Sequence, residues 1–291
     1  MSEALPGAAG GPRLVLPDPA TELGGALAAA LACCDEADGV ALASFRQALE
    51  IETKPDHSFV TAADRAVERA IRTRITATFP EHGLVGEEYG ELPSASGRRW
   101  FIDPIDGTHN YVRGIPVFAT LLALEVDGRS QLGVVSAPAL RRRWFAWQGG
   151  GAWAVETRTG GWVPDSAVRL KVSRVAELSS ASVVYSSVPS VARSGLAPGF
   201  GNLLERSWRD RGLGDFWGYM LVAEGAAEVM LEAELAVWDL AGPRAVLEEA
   251  GGRLTDLCGE LDTPARGALA SNGILHDEVL ATLRGEGTAR T

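Results

Sequence analysis

Two aspartates stand three positions apart in residues 100–111, WFIDPIDGTHNY. The apolar run that precedes them predicts a buried strand, so Asp103 and Asp106 would follow directly from the protein interior. Burying an ionised carboxylate costs several kcal/mol unless a partner neutralises its charge. The spacing therefore predicts a positively charged partner for both side chains, and a bound metal cation is one such partner.

Carboxylates follow short apolar runs at two further places in the chain. Glu87 and Glu88 come after the run GLVG, and Asp239 follows Val237 and Trp238. Hard oxygen ligands, without His or Cys at metal-ligand spacing, suit Mg²⁺ or Mn²⁺ rather than Zn²⁺. The three segments together predict an all-oxygen site for Mg²⁺, with Mn²⁺ as an alternative ion.

The residues that follow Asp106 predict an anion site. Gly107 permits a close approach of the backbone, and Thr108 offers a hydroxyl and an amide at a predicted helix N-terminus. The free N–H groups and the dipole of such a terminus favour phosphate. An Asp-Gly pair is also a common turn, so this segment taken alone would equally be structural.

Asp64 stands at the start of a predicted amphipathic helix. Apolar residues recur every four positions from Val67 to Phe79, and Pro80 ends the pattern. From this stretch alone, Asp64 would serve either as the N-cap of the helix or as a residue of the site.

The elements that carry these residues differ between the two halves of the chain. Residues 15–155 predict helices followed by an antiparallel meander, in which a hairpin turns at Asp127 and Gly128. Residues 156–291 predict alternating strands and helices. We therefore expect an N-terminal α+β half with most of the metal ligands and a C-terminal α/β half that supplies Asp239 and the substrate contacts.

Composition narrows the class of protein. The chain has 291 residues, 46% of them hydrophobic, and a net charge of −11 without a basic tract, so we expect a globular protein without a nucleic-acid partner. No apolar run approaches the length of about 20 residues that a membrane span needs. No signal peptide is visible, so the expected location is the cytoplasm. Residues 1–14, rich in Gly, Ala and Pro, are expected to be disordered.

Four segments, in this order, resemble signatures of the inositol monophosphatase superfamily of Mg²⁺-dependent, lithium-sensitive phosphomonoesterases. They are KPDHSFVTAAD, GEEYG, WFIDPIDGTHNYVRGIPVFA and WDLAGPRAVLEEAGG, and the resemblance extends from about residue 54 to the C-terminal helix. It implies a layered αβαβα sandwich of the inositol monophosphatase and fructose-1,6-bisphosphatase type. It also implies a homodimer that acts on a small phosphorylated substrate and binds two to three Mg²⁺ ions per site.

The resemblance implies metal ligands at five positions of the sequence. Glu87, Asp103 and the carbonyl of Ile105 would hold the first ion. Asp103, Asp106 and Asp239 would hold the second, so that Asp103 bridges the two. Glu87 would also face a weaker third ion, largely through water.

The same resemblance implies which groups act on water and on phosphate. Thr108 and Asp64, together with Glu87, would orient the attacking water and help to deprotonate it. The amides of Gly107 and Thr108 would cradle the phosphate. Because phosphoryl transfer asks mainly for positioning and charge neutralisation, we expect no serine or cysteine nucleophile.

Within the superfamily, the segment RGLGDFWGYMLVAEGAAEVML and the ending SNGILHDEVL resemble bacterial histidinol-phosphatases, especially actinobacterial ones. This resemblance implies hydrolysis of L-histidinol phosphate to L-histidinol and phosphate, a step of histidine synthesis. Glu232 falls where the family contacts the non-phosphate part of the substrate. Asp215 would border the imidazole or, alternatively, cap a helix. The alternative activity is that of an inositol-1-monophosphatase, or of a broader sugar-phosphate or specialised-metabolism phosphatase with the same metal site.

Three residues depart from the family pattern. Gly242 and Pro243 stand where the family usually has alanine and a helix former, and His109 stands where lysine or another polar residue is frequent. We expect Pro243 to lie in the first turn of its helix, where proline is tolerated, so that the fold survives. His109 is expected to be a loop residue beside the site rather than a catalytic base. A catalytically inert relative would lack a ligand carboxylate, and the sequence retains them all.

Overall fold

The computed structural model describes residues 12–47, 51–53, 59–260 and 267–286. The segment that we expect to be disordered, residues 1–14, lies outside these ranges except for its last three residues. The first five residues of the KPDHSFVTAAD segment, 54–58, also lie outside the described part. Within the described ranges, no helix combines the length and the apolar character that a bilayer-crossing segment requires.

The first part of the fold consists of two long helices with a small strand pair between them, followed by a large sheet that includes a short helix between two of its strands. Its elements are α1 (Glu22–Ser44), β1 (Ile51–Thr53), β2 (Phe59–Thr61), α2 (Ala62–Thr78), β3 (Gly83–Gly86), β4 (Gly90–Leu92), β5 (Arg98–Asp106), α3 (Thr108–Val112), β6 (Ala119–Val126), β7 (Arg129–Ala137), β8 (Arg142–Trp147), β9 (Gly151–Arg158) and β10 (Gly161–Arg169). The large sheet has eight strands in the order β10-β9-β8-β7-β6-β5-β3-β4. Its neighbours pair antiparallel, apart from the parallel pair β3 and β5. The predicted meander is confirmed, as is its hairpin turn, in which Asp127 and Gly128 have left-handed φ angles of 50° and 75°.

The second part of the fold alternates strands and helices, as the sequence predicts. Its elements are β11 (Ser182–Tyr185), α4 (Val188–Arg193), α5 (Ala197–Arg206), β12 (Arg209–Arg211), α6 (Asp215–Ala223), β13 (Val229–Glu232), α7 (Val237–Glu249), β14 (Arg253–Thr255), β15 (Ala268–Ser271) and α8 (His276–Leu283). The smaller sheet has five strands in the order β12-β11-β13-β15-β14. Strand β11 pairs parallel with β12 and β13, and the other two pairs are antiparallel.

Three buried clusters show how these elements stack. The first lies between α1 and α2 and one face of the large sheet, and it includes Leu27, Ile71 and Ile102. The second lies where the opposite face of that sheet, the helices α6 and α7 and the smaller sheet meet. The third lies between the other face of the smaller sheet and α4, α5 and α8. The resulting order of helix, sheet, helix, sheet and helix confirms the αβαβα sandwich.

The expected division between residues 155 and 156 falls inside β9. Residues 156–167, which follow the expected division, belong to the hairpin of β9 and β10. The large sheet therefore continues to Arg169, and the smaller sheet begins at Ser182. Because α6 and α7 pack in a cluster that includes both sheets, the two parts of the chain share a core.

Helix α7 lies directly against the large sheet because two glycines meet at the contact. A Cβ on Gly133 of β7 would lie 2.5 Å from the carbonyl oxygen of Gly242 and 2.7 Å from the Cβ of Ala245. A Cβ on Gly242 itself would lie 3.3 Å from the carbonyl oxygen of Val134, a tight contact that glycine at this position avoids. Pro243 is the seventh residue of α7, so the prediction of a proline in the first turn is wrong. The helix continues past it because proline removes a single backbone hydrogen bond while the buried face of α7 remains packed.

Candidate active site

Three of the predicted metal ligands converge where β5 meets α7. Carboxylate oxygens of Asp103, Asp106 and Asp239 all lie within 4.8 Å of one another. Asp103 is only 2% exposed, and its Oδ1 has no hydrogen-bond partner among the described residues. A bound cation would stabilise such a cluster of like charges, and carboxylate oxygens are ligands that Mg²⁺ and similar hard ions prefer. The residues present therefore fit a metal centre.

An irregularity in β5 brings the first two carboxylates together. Residues three positions apart on a regular strand point to opposite faces of the sheet. In β5, Asp103 pairs with Leu121 and Asp106 pairs with Ala119, so three steps along β5 match two steps along β6. The extra residue shifts the alternation by one, as in a β-bulge. Both carboxylates consequently lie on the side of Asp239.

The pKa values of the three carboxyls reflect their burial and mutual repulsion. Burial, followed by the charges of Glu87 and the other aspartates, raises the pKa of Asp103 well above its usual range. Burial and the nearby charge of Asp215 do the same to the pKa of Asp106. Burial raises the pKa of Asp239 to about 6. A bound cation would oppose these shifts because it favours the ionised carboxylates.

Ends of secondary-structure elements position Asp239 of the cluster and Glu87 beside the cluster. Asp239 is the third residue of α7, and its Oδ2 accepts a 2.6 Å hydrogen bond from the backbone N–H of Ala236. This carboxylate thus caps the start of its helix as well as belonging to the cluster. Glu87 follows β3, and its N–H donates to the carbonyl oxygen of Ile102 across 3.2 Å. Glu87 is half-buried and lies beside the three aspartates, outside the group of oxygens within 4.8 Å.

Asp64 combines a structural contact with a free oxygen. Thr61 is the N-cap of α2, so the alternative that Asp64 itself is the N-cap is wrong. Oδ2 of Asp64 accepts hydrogen bonds from the N–H of Thr61 at 2.8 Å and from its hydroxyl at 2.6 Å. Oδ1 is buried and finds no donor in the part of the chain that the structure describes. Burial raises the pKa of Asp64 to about 6.

The turn after β5 is shaped for a close backbone approach. Gly107 precedes α3 with a left-handed φ of 77°, and a Cβ there would lie 3.0 Å from the carbonyl oxygen of Val117. The hydroxyl of Thr108 donates to the carbonyl oxygen of Ile105 across 2.9 Å. That oxygen has two lone pairs, so one remains for a further partner. The Tyr111 hydroxyl donates to a carbonyl of α1 across 2.8 Å and thereby anchors α3.

The two predicted substrate contacts lie on the other side of Asp106. Gly214 is the N-cap of α6, so the alternative that Asp215 caps the helix is wrong. Asp215 is the first residue of α6 and has a left-handed φ of 57°, which is unusual for a residue with a side chain. The next backbone N–H, of Phe216, donates to Oδ2 of Asp106 across 2.6 Å. Glu232 ends β13, is 7% exposed and accepts a 2.9 Å hydrogen bond from the Tyr219 hydroxyl. Burial, with the charge of Asp215, raises the pKa of Glu232 to about 8.

His109 and the aromatic residues of α6 surround this region in different ways. His109 is the second residue of α3, so the prediction of a loop residue is wrong; it is exposed and packs against Phe59, with 4.8 Å between the ring centroids. It is close enough to Asp215 to oppose the rise that burial causes in the pKa of that carboxyl. Phe216 is buried in the core, whereas Trp217 is half-buried.

Sequence reasoning missed three side chains that hold predicted site residues in place. The Tyr219 hydroxyl contacts Glu232, and the amide of Asn110 donates to Oδ2 of Asp215 across 3.2 Å. Glu68 accepts hydrogen bonds from the loop that carries Glu87. A signal was available for Glu68 alone, because it is a charged residue on the apolar face of α2. Tyr219 and Asn110 contact residues that are far from them along the chain, so no local sequence pattern predicts these contacts.

A cavity of about 400 Å³ lies beside α7 and the end of the large sheet. Its lining includes Val85, Phe101 and Ala241, and it contains none of the clustered aspartates. This cavity is therefore separate from the carboxylate cluster.

Known proteins of similar sequence and structure exist. The model of the inositol monophosphatase family matches residues 26–288. The histidinol-phosphatase of Mycobacterium tuberculosis is 49% identical over 255 residues, which are 87% of this chain and 96% of that relative. The histidinol-phosphatase of Streptomyces coelicolor is 45% identical over 254 residues, 86% of this chain and 93% of that relative. A solved structure of a Thermotoga maritima IMPase has a TM-score of 0.77 at 28% identity, covering 90% of this chain and 98% of its own.

These similarities agree with the architecture and with the site. The family match includes both sheets and every residue of the carboxylate cluster. The solved structure extends the likeness to the arrangement of the elements in space. The chain belongs to the inositol monophosphatase family.

Proposed function

We propose that this protein is a Mg²⁺-dependent phosphomonoesterase that hydrolyses L-histidinol phosphate to L-histidinol and phosphate in histidine synthesis. One observation carries the proposal: the three-aspartate cluster adjoins a second acidic pair, Asp215 and Glu232. Both charges of that pair, after burial itself, contribute to the raised pKa of Asp106. The site thus joins a place for a metal-bound phosphate to a place for a cation. The similarity to two histidinol-phosphatases supports the same substrate.

The acidic residues of the cluster would hold two to three Mg²⁺ ions. The proposed ligands are Asp103, Asp106, Asp239, Glu87 and the carbonyl oxygen of Ile105. When bound, the ions neutralise phosphoryl oxygens and lower the pKa of a coordinated water. The same all-oxygen ligand set would accept Mn²⁺.

Groups of the chain itself position the phosphate and the water. The amides of Gly107 and Thr108 donate to the phosphate oxygens. Asp64 and the Thr108 hydroxyl orient the attacking water, with Glu87 beside them. The buried Oδ1 of Asp64 is the oxygen left to accept from that water, because Oδ2 is held by Thr61. A pKa raised to about 6 brings Asp64 closer to neutral pH, where a general base is most effective.

Glu232 and Asp215 would recognise the cationic amine of histidinol. Tyr219 holds the carboxylate of Glu232, and Asn110 holds that of Asp215, so both acceptors are already oriented. A carboxylate–ammonium hydrogen bond contributes about 1.5–3 kcal/mol, which is roughly a tenfold or greater difference in affinity. The cation also favours the ionised form of Glu232, whose pKa burial raises to about 8.

The second candidate is an inositol-1-monophosphatase, or a broader sugar-phosphate or specialised-metabolism phosphatase with the same metal site. The carboxylates of Asp215 and Glu232 favour it as well, because they accept hydrogen bonds from sugar hydroxyls as readily as from an amine. The similarity to a solved IMPase supports this reading of the site.

A panel of substrates distinguishes the two candidates. The purified protein is assayed with Mg²⁺ for phosphate release from histidinol phosphate, inositol 1-phosphate, fructose 1,6-bisphosphate and 3′-phosphoadenosine 5′-phosphate. We expect the highest kcat/KM with histidinol phosphate. A higher value with inositol 1-phosphate would select the second candidate. Absence of Mg²⁺-dependent release from all four would overturn both.

Glu232→Gln tests the recognition of the amine. The substitution should raise KM for histidinol phosphate about tenfold or more and change KM little for p-nitrophenyl phosphate, which has no amine. Glu228→Gln is the matched control, because Glu228 is a buried glutamate whose Oε2 accepts from the N–H of Ser182 at 2.6 Å. Equal losses on both substrates in Glu232→Gln would assign Glu232 to the metal site or to the fold instead.

We also infer that the enzyme works in the cytoplasm as a homodimer, as the family resemblance implies. Sedimentation at micromolar concentration should give twice the mass of one chain, and cell fractionation should recover the activity with cytosolic proteins. The mass of a single chain would contradict the homodimer.

A further inference from the structure

Glu68 is a charged residue on the apolar face of α2. It stands between the buried residues Val67 and Ile71, and its own exposure is 0%. Its carboxylate forms an ion pair with Arg72, with 2.7 Å between Oε1 and Nε. A buried carboxylate is costly unless it is paired and hydrogen-bonded, so the partners of Glu68 indicate what it holds.

The remaining hydrogen bonds of Glu68 come from the loop that follows β3. Oε2 accepts from the backbone N–H of Glu88 at 2.7 Å, and Oε1 accepts from that of Tyr89 at 3.2 Å. Gly86 leaves the space for this contact, since a Cβ there would collide with Oε1. The carboxylate of Glu68 therefore holds the two amides that directly follow Glu87.

Two further side chains of α2 form hydrogen bonds with the same loop. Arg72 donates from Nη2 to the carbonyl oxygen of Gly90, and Arg69 donates to the Tyr89 hydroxyl across 2.9 Å. Of Glu68, Arg69 and Arg72, only Glu68 is fully buried and accepts hydrogen bonds from the amides next to Glu87.

We propose that Glu68 is a positioning residue that sets Glu87 for metal binding. The proposal rests on the proposed function, because it takes Glu87 to be a metal ligand. Glu68 lies one helical turn after Asp64, so a single helix fixes both the loop of Glu87 and the water-orienting carboxylate. Without the bonds to Glu68, metal binding would have to order the loop, and the entropy lost would weaken the affinity.

Glu68→Gln tests this role, because it keeps the shape of the side chain and removes its charge and one acceptor oxygen. In the metal-free variant, hydrogen exchange at the amides of Glu88 and Tyr89 should be faster than in the wild type. Titration of the metal-free protein with Mn²⁺ alone, followed by electron paramagnetic resonance, should show binding weakened about ten- to a hundredfold. At saturating Mn²⁺, kcat should return close to the wild-type value, since Glu68 acts through Glu87.

Asp38→Asn is the matched control. Asp38 is a largely buried carboxylate paired with an arginine, 2.8 Å from Nη2 of Arg143, but it lies on α1, away from the loop of Glu87. It should lower the stability and leave Mn²⁺ binding unchanged. Mn²⁺ binding of Glu68→Gln within twofold of the wild type would overturn the proposal, and so would an equal weakening in Asp38→Asn.

A second variant keeps the test decisive if Glu68→Gln does not fold. Arg72→Gln removes the partner of Glu68 and the contact to Gly90 from a partly exposed position. Faster exchange at the amides of Glu88 and Tyr89 with weaker Mn²⁺ binding would support the proposal, and unchanged exchange and binding would overturn it. The Mn²⁺ titration uses no substrate. A wild-type protein that binds Mn²⁺ without hydrolysing histidinol phosphate would therefore overturn the proposed function and leave the role of Glu68 standing.

Discussion

Asp103→Asn should have opposite effects on the stability and the activity of the protein. Asp103 is buried, and a carboxylate oxygen of Asp103 lies within 4.8 Å of one of Asp106 and one of Asp239. Two unit charges at that separation repel by about 3.5 kcal/mol at an effective dielectric constant of about 20. Protonation relieves part of this repulsion, because burial and the neighbouring charges raise the pKa of Asp103. We therefore expect the substitution to increase the free energy of unfolding of the metal-free protein by about 1–3 kcal/mol at pH 8.

With bound metal, the wild type should be more stable than Asp103→Asn. An ion that binds only the folded state stabilises it by about 2.7 kcal/mol at a hundred times its Kd. The wild type should gain this stability with Mg²⁺, whereas the variant lacks the proposed bridging ligand and should gain little. Turnover should be lost for the same reason, since neither ion would be held in place.

Urea unfolding at pH 8, followed by tryptophan fluorescence with EDTA or with Mg²⁺, measures both free energies of unfolding. Phosphate release from histidinol phosphate measures turnover on the same preparations. Asp277→Asn is the control, because the side chain of Asp277 is 82% exposed and pairs with Arg253 at the surface. Its free energy of unfolding should change by less than about 0.5 kcal/mol, with EDTA or with Mg²⁺, and its turnover should stay close to that of the wild type. Lower stability of Asp103→Asn than of the wild type in EDTA would refute the reasoning, as would near-wild-type Mg²⁺-dependent turnover.

Three further predictions concern the metal, the pH dependence and the packing of α7. Activity should vanish with EDTA and return with Mg²⁺, and millimolar lithium should inhibit, as the resemblance implies; chelator-resistant phosphate release would contradict the metal requirement. Burial lowers the pKa of His276 from 6.5 to about 4, so the unfolded chain binds the proton more readily than the folded chain. The free energy of unfolding should therefore fall by up to about 1.4 kcal/mol per pH unit as the pH drops from 6.5 to 4. His276→Gln should flatten that decline in urea midpoints measured from pH 4 to 7, and an unchanged slope would exclude His276 as its source. Gly133→Ala should destabilise by about 1–3 kcal/mol, because its Cβ would lie 2.5 Å from the carbonyl oxygen of Gly242. Gly39→Ala in α1, where a Cβ meets nothing within 4 Å, should instead stabilise by up to about 1 kcal/mol, and equal effects of the two would disprove the packing argument.

The sequence by itself determined the elements, their order and the chemical type of the site. Apolar residues every four positions predicted α2, and the Asp-Gly pair within apolar runs predicted the hairpin of β6 and β7. Each of these signals depends on neighbours along the chain, so a local pattern is sufficient. Asp103, Asp106 and Asp239 were recognisable because each follows an apolar run that leads out of the core.

Contacts between distant segments decided the rest. Asp103 and Asp106 share a side only because β5 gains one residue in its pairing with β6. Pro243 is tolerated inside α7 because that helix is packed on the large sheet. The hydrogen-bond partners of the buried carboxylate of Glu68 lie in the loop after β3, which the fold brings against α2. Periodicity reports which face of one element is apolar. The direction of a side chain and the partner of a buried charge depend instead on which segments meet in space, and only the tertiary structure determines that.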